Sequence, residues 1–174
     1  MDDETSPEDG SELTPRAPEE KDLVHLCREL NARGAKYIIV GGFAIMMVGY
    51  PRTTGDIDLL VAADDENEKK VFEALMTLPD QCVAELEPGD LRKYIILRVA
   101  DEILVDLMAK TSGMTYEDAL EWIHWRELQG VRIPFAGPEL LWKMKSKTHR
   151  AKDQGDLFFL GQWFSSRGTT PPTD

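Results

Sequence analysis

The chain has 174 residues, 32 acidic and 20 basic side chains, a net charge of −12 and 42% hydrophobic residues. This length favours one domain, and this composition excludes a disordered, a collagen-like and a membrane-embedded chain. No apolar run reaches the roughly 18 residues of a spanning helix, and the acidic N-terminus does not resemble a secretory signal. Two cysteines are too few for a disulfide framework, so we predict a cytoplasmic protein with reduced thiols.

The charge is concentrated at the N-terminus. Residues 1–20 contain eight carboxylates and one base, Arg16, which gives this segment a charge of −7. The segment has no aromatic residue, so we predict a disordered acidic tail, either a solvated tail or a binding arm for a basic partner. Residues 165–174 are predicted to form a flexible tail, and residues 21–164 a single domain.

Between the tails, helical and strand patterns alternate. In chain order, the sequence predicts a helix over 23–30, a strand over 37–40, a helix over 43–48, a strand over 56–62 and a helix over 69–78. It then predicts strands over 94–99 and 103–108, a helix over 116–125, a strand over 131–135 and helices over 138–147 and 152–164. This order predicts an α/β (α+β) fold, a mixed sheet flanked by helices.

A diglycine, Gly41-Gly42, separates the first predicted strand from the second helix. A helix that begins at glycines exposes backbone N–H groups to which a phosphate can come close. A plain tight turn explains the same residues, so the diglycine alone leaves both interpretations open.

Asp56 and Asp58 are two residues apart in the second predicted strand, which places both carboxylates on one face. Two like charges at this distance raise each other's pKa or require a cation. Asp106 interrupts a later apolar strand, where a lone carboxylate is costly unless it is paired or binds a metal. If the two strands are neighbours, three carboxylates converge and can hold Mg²⁺, in a one-ion or a two-ion site. The alternatives are a solvated pair and a strand-end aspartate that faces water.

The diglycine, a 13-residue spacer, Asp56-Ile57-Asp58 and the later Asp106 together resemble the DNA polymerase β-type nucleotidyltransferase superfamily. Arg52-Thr53-Thr54-Gly55 before the acidic pair is similar to bacterial relatives of the AbiEii-type toxins. The C-terminal order of Lys145, Arg150, Lys152-Asp153 and Asp156-Leu157 resembles the closing helices of that family, except that His149 and Ala151 flank the arginine where relatives often have glycine and proline.

This resemblance implies the nucleotidyltransferase fold and a role for each matching residue. Asp56, Asp58 and Asp106 are implied as the metal-binding and catalytic carboxylates, with Asp106 placed to activate the acceptor hydroxyl. Five further residues are implied to bind the nucleotide: Gly41, Gly42, Arg52, Lys145 and Lys152. For the three cations, a charge-balancing role on a solvated surface remains the alternative.

The resemblance implies transfer of a nucleoside monophosphate from an NTP, such as ATP, to an acceptor hydroxyl. The acceptor is an RNA (tRNA) 3′ end in the toxin-like interpretation, with an antitoxin as a partner. Lys143, Lys145, Lys147, Arg150 and Lys152 would supply a compact basic patch, although the acidic net charge suits RNA poorly. A protein side chain, a small molecule, or a non-catalytic nucleotide-binding or partner-binding module are the alternatives.

Overall fold

The computed structural model describes residues 14–173, and their centre is one six-stranded mixed sheet. The helices are α1 (Glu20–Ala32), α2 (Gly41–Val48), α3 (Asp65–Leu75), α4 (Asp90–Lys93), α5 (Tyr116–Ala119), α6 (Pro138–Lys145) and α7 (Ala151–Ser166). The strands are β1 (Tyr37–Val40), β2 (Asp56–Val61), β3 (Leu97–Ala100), β4 (Leu104–Met108), β5 (Lys110–Thr111), β6 (Met114–Thr115), β7 (Ile123–Leu128) and β8 (Val131–Ala136). Single 3₁₀ turns lie at Cys82–Glu85 and Leu120–Trp122.

The strand order is β3-β4-β2-β1-β8-β7. β2 lies parallel to β4 and antiparallel to β1, while the β3–β4 and β7–β8 hairpins form the two edges. β1 and most of β2 are apolar and buried because helices cover the centre of the sheet. The predicted mixed α/β sheet is therefore confirmed.

One predicted helix, over 116–125, is wrong. Only Tyr116–Ala119 is α-helical, and Ile123–Leu128 forms an edge strand that pairs with β8 along six residue pairs. The hairpin turn at Gln129-Gly130, where both residues have positive φ, folds β7 back onto β8. Pairing with β8 supplies backbone hydrogen bonds that a local pattern does not reveal, so tertiary contact overrides the helical pattern.

The predicted strand over 94–99 begins later than expected. The short helix α4 precedes it, and β3 starts at Leu97, opposite Leu107 of β4. The segment 94–96 therefore lies outside the sheet and is exposed. The other predicted elements are present within a few residues of their expected ends.

The first described residues contact the domain. Arg16 forms a parallel bridge with Ile103 and ion pairs with Asp22 and Glu102, and α1 begins at Glu20. Residues 1–13, which make up most of the predicted acidic tail, lie outside the described residues, and the division into tails and domain stays a prediction. No helix between residues 14 and 173 combines the length and apolar character needed to cross a membrane.

Candidate active site

Three carboxylates meet at the centre of the sheet. Asp56 and Asp58 project from β2, and the parallel register places Asp58 directly opposite Asp106 of β4. One carboxylate oxygen from each residue lies within 4.8 Å of the other two. The structure thus brings together the three acidic residues that the sequence analysis selected.

The electrostatics of this cluster favour a bound cation. Partial burial, and then the charges of Asp56 and Asp106, raise the pKa of Asp58 to about 7. Without a counter-charge the fully ionised cluster is costly, because the three negative charges repel one another in a partly desolvated site. Carboxylate oxygens are the ligands that Mg²⁺ prefers, so the residues present fit a divalent metal.

Arg98 is a cation at this cluster that the sequence analysis missed. Its guanidinium donates from Nε and Nη2 to the two carboxylate oxygens of Asp106, both at 2.8 Å, and Nη2 lies 3.4 Å from Asp56 Oδ2. Arg98 stands opposite Asp106 in the β3–β4 register, and 53% of its side chain is exposed. Only the strand pairing shows that it faces the carboxylates, since it lies 40 residues from the Asp56–Asp58 pair in the sequence.

The diglycine lies against the acidic cluster. Gly41 has a φ of +67°, and a Cβ at this position would lie 2.0 Å from Asp58 Oδ2. A Cβ at Gly42 would lie 2.5 Å from Thr54 Cβ. The predicted helix start at the diglycine is confirmed, and the reason for both glycines is close approach of the backbone to the carboxylate and to the loop before β2. The first N–H groups of α2 have no intrahelical partner there.

Two of the predicted cations are joined to carboxylates of α7. Arg52 Nε lies 2.9 Å from Oδ1 of the fully buried Asp156, and Lys145 Nζ lies 2.7 Å from its Oδ2. Lys145 Nζ is also 3.4 Å from Asp153, which Arg150 and Thr148 contact as well. This network holds the loop before β2 and helices α6 and α7 together.

Lys152 differs from these cations. It is exposed at the start of α7, no carboxylate of the described chain lies within ion-pair distance of it, and its charge partly counteracts the raised pKa of Asp58. Lys152 is therefore a cation near the acidic cluster whose charge internal pairing does not neutralise.

A cleft of about 610 Å³ connects these groups. All eight predicted site residues line it: Gly41, Gly42, Arg52, Asp56, Asp58, Asp106, Lys145 and Lys152. Its size suits one small ligand or a nucleotide. The function of each residue stays a prediction.

The diglycine lies over an acidic triad on a mixed sheet, which is the arrangement that the resemblance to nucleotidyltransferases implies. Residues 19–169 match the family described as "Nucleotidyl transferase of unknown function (DUF2204)". The chain therefore belongs to this family of nucleotidyltransferases.

Solved structures share the fold. A lincosamide antibiotic adenylyltransferase, LnuA, with lincomycin bound, superposes with a TM-score of 0.56 at 16% identity, covering 83% of this chain and 98% of that one. An antigenic nucleotidyltransferase-like protein from Paracoccidioides brasiliensis superposes with a TM-score of 0.55 at 18% identity, covering 88% and 79% respectively. No curated protein matches the sequence. The predicted nucleotidyltransferase family and fold are confirmed, whereas the DNA polymerase β-type superfamily and the AbiEii-like subgroup stay predictions.

Proposed function

We propose that this protein is a Mg²⁺-dependent nucleotidyltransferase that transfers a nucleoside monophosphate from an NTP to a hydroxyl of a small molecule. A bond forms between the acceptor oxygen and the α-phosphorus, and the bond from that phosphorus to pyrophosphate breaks. The observation that carries the proposal is the convergence of the acidic triad and the diglycine in one cleft.

Asp56, Asp58 and Asp106 would hold the magnesium. When bound, Mg²⁺ supplies positive charge to the phosphates and lowers the pKa of the acceptor hydroxyl. The backbone N–H groups at the start of α2 and the side chain of Lys152 hold the triphosphate.

Asp106 also acts at the acceptor oxygen, and Arg98 acts through Asp106. Asp106 accepts the proton of the acceptor hydroxyl. Arg98 orients Asp106 through its two hydrogen bonds before the substrates bind. Arg52 and Lys145 hold the wall of the cleft through Asp156 and face the nucleotide from there.

The charges of the cleft favour a small-molecule acceptor over an RNA. Lys145 and Arg150 are paired with carboxylates, and Lys143 lies over the Trp122 ring at 5.6 Å, so much of the expected basic patch is already neutralised or covered. A groove for an RNA backbone needs several cations that are free to bind phosphates. The fold also covers nearly all of an adenylyltransferase that binds lincomycin.

The test uses purified protein, Mg²⁺ and each of four α-³²P-labelled NTPs. Separate reactions receive a mixture of hydroxylated antibiotics that includes lincomycin, total RNA, or cell-lysate protein, and the Asp56→Asn/Asp58→Asn variant is the control. We expect label on a small molecule that depends on both aspartates. Label on a tRNA 3′ end would instead support the toxin-like activity with an antitoxin partner, and label on protein would support protein modification. Label transfer that survives in the double variant would contradict the metal site.

A further inference from the structure

An exposed apolar segment follows α4. Of the seven large apolar side chains that are exposed in the described part of the chain, three are consecutive: Tyr94, Ile95 and Ile96, exposed by 48%, 86% and 48%. Exposed apolar residues are normally scattered singly over a protein surface, and a cluster indicates a binding surface.

This segment lies beside the acidic cluster. It directly precedes β3, whose Arg98 pairs with Asp106 of β4. Met108 lies two residues after Asp106 in β4, and residues two apart in a strand share a face, so Met108 lies on the side of Asp106. Ile95, Ile96 and Met108 all line the catalytic cleft.

The groups that line this cleft lie at different strands of the sheet, so the cleft has two distinct ends. The diglycine follows β1, the metal-binding carboxylates lie on β2 and β4, and the isoleucines precede β3 at the sheet edge. In phosphoryl transfer the attacking and leaving oxygens lie roughly in line, on opposite sides of the phosphorus. If the diglycine and Lys152 hold the pyrophosphate end, the acceptor approaches from the side of Asp106 and the isoleucines.

We propose that Ile95, Ile96 and Met108 form the apolar wall of the acceptor site. The acceptor is an amphipathic small molecule that presents an alkyl or saturated-ring face beside its reactive hydroxyl. This inference rests on the proposed function and names the class of its substrate. Burial of the isoleucine side chains by such a face supplies the binding energy, since the neighbouring Arg98 is already paired with Asp106.

The chemistry of this wall argues against an RNA end. Proteins bind unpaired bases by stacking them on aromatic rings or guanidinium planes. The apolar residues that line the cleft at this end are aliphatic, and the ring of Tyr94 is not part of the lining but lies under Lys93 Nζ at 5.2 Å. The guanidinium at this end, that of Arg98, is held by both carboxylate oxygens of Asp106.

The test measures acceptor binding without the reaction. Protein labelled with ¹³C at the isoleucine δ1 methyl groups is titrated with methyl, propyl and hexyl glucoside, in the presence of Mg²⁺ and a non-hydrolysable ATP analogue. Glucose, which has the hydroxyls but no alkyl face, is the matched probe. We expect the methyl signals of Ile95 and Ile96 to shift, and the affinity to increase by about twofold to fourfold per added methylene. Glucose should leave these signals unchanged.

Three variants test whether the two isoleucines form the acceptor site. Ile95→Ser and Ile96→Ser should each weaken hexyl glucoside binding at least tenfold, while the affinity for the ATP analogue, measured by calorimetry, changes less than threefold. Phe158→Ser is the matched control, because Phe158 is also exposed, by 69%, but lies on α7 and does not line the cleft. It should bind hexyl glucoside as the unmodified protein does.

Other outcomes separate this inference from the proposed function. Normal nucleotide binding without any alkyl-dependent shift would overturn the inference and leave the nucleotidyltransferase function intact. Shifts at both isoleucines caused by an RNA ending in unpaired nucleotides, and not by alkyl glucosides, would overturn it in favour of RNA. Concentration-dependent dimerisation that Ile95→Ser abolishes would show that a second copy covers the segment. Failure of the unmodified protein to bind Mg²⁺ and nucleotide would contradict the proposed function itself.

Discussion

Two features of the structure independently disfavour a side chain at Gly41: its backbone conformation and the neighbouring carboxylate of Asp58. Its φ of +67° disfavours a side chain, and a Cβ would overlap Asp58 Oδ2. We expect Gly41→Ala to lower the free energy of unfolding by at least about 1 kcal/mol and to displace Asp58 from the metal-binding geometry. The measurements are urea unfolding and Mn²⁺ affinity, which should fall at least tenfold.

Gly34 offers the matched control for this change. Its φ is +66°, but no atom outside its own neighbourhood lies within 4 Å of an added Cβ. Gly34→Ala should therefore lose about 1 kcal/mol of stability and keep its Mn²⁺ affinity. Equal loss of metal binding in both variants would show that backbone strain alone, and not the contact with Asp58, disturbs the site.

The raised pKa of Asp58 predicts an unusual pH dependence. Its pKa of about 7 lies above the usual value for an aspartate because partial burial and the charges of Asp56 and Asp106 disfavour ionisation. Asp58 therefore binds its proton more tightly in the folded chain than in the unfolded chain. The stabilisation of the folded chain by this proton is fully present below about pH 4 and is lost as the pH rises through about 7. Without metal, the stability of the protein relative to Asp58→Asn should fall over this range, by at most about 1.4 kcal/mol per pH unit.

The measurement is urea unfolding in EDTA between pH 5 and 8, for the unmodified protein and for Asp58→Asn. Saturating Mn²⁺ should remove the pH-dependent difference, because the metal favours the ionised carboxylate. A difference between the two proteins that does not change with pH in EDTA would refute the raised pKa.

At the scale of elements, α7 joins distant parts of the chain through buried charges. Its Asp156 binds Arg52 from the loop before β2 and Lys145 from α6. Lys145→Ala removes one of the two cations that Asp156 contacts and leaves Arg52 as the other, so it should lower the free energy of unfolding by about 2 kcal/mol, less than the complete loss of a buried ion pair. Lys152→Ala should change stability by no more than about 0.5 kcal/mol, because Lys152 is exposed.

For nucleotide affinity we expect the opposite ranking of the two substitutions, with the larger effect from Lys152→Ala. Lys152→Ala should weaken ATP-analogue binding about tenfold by calorimetry, since its charge is free to meet the triphosphate. Lys145→Ala should weaken ATP-analogue binding by a smaller factor than Lys152→Ala does, when the affinity is calculated for the folded fraction of the variant. A larger nucleotide effect for Lys145 would mean that the ligand draws it away from Asp156.

At the scale of the whole molecule, the metal should bind only the folded chain. Asp56 and Asp106 are 50 residues apart and meet only when β2 pairs with β4. Mn²⁺ at 100 times its dissociation constant should therefore raise the free energy of unfolding by about 2.7 kcal/mol, and EDTA should remove this gain. The Asp56→Asn variant is the control and should gain much less, as urea unfolding with and without Mn²⁺ will show. Equal gains in both proteins would place the metal elsewhere.

The sequence by itself determined the two central strands of the sheet and the glycine turn between them. Gly41-Gly42 and Asp56-Ile57-Asp58 predict a strand, a glycine turn and a second strand with two carboxylates on one face, because glycine freedom and strand alternation are local properties. Through the family resemblance that they carry, those residues, together with Asp106 and the cations of the closing helices, predicted the fold and selected residues that all line one cleft.

The tertiary structure alone decided what depends on contacts between distant segments. Residues 123–128 form an edge strand because β8 pairs with them. Arg98 belongs to the acidic cluster because β3 pairs with β4, and Lys145 is held by α7 because α6 packs against it. Ile95 and Ile96 line the cleft from outside the sheet because β3 begins only at Leu97. In each case the deciding energy comes from pairing or charge contact across many residues of sequence, which no local pattern encodes.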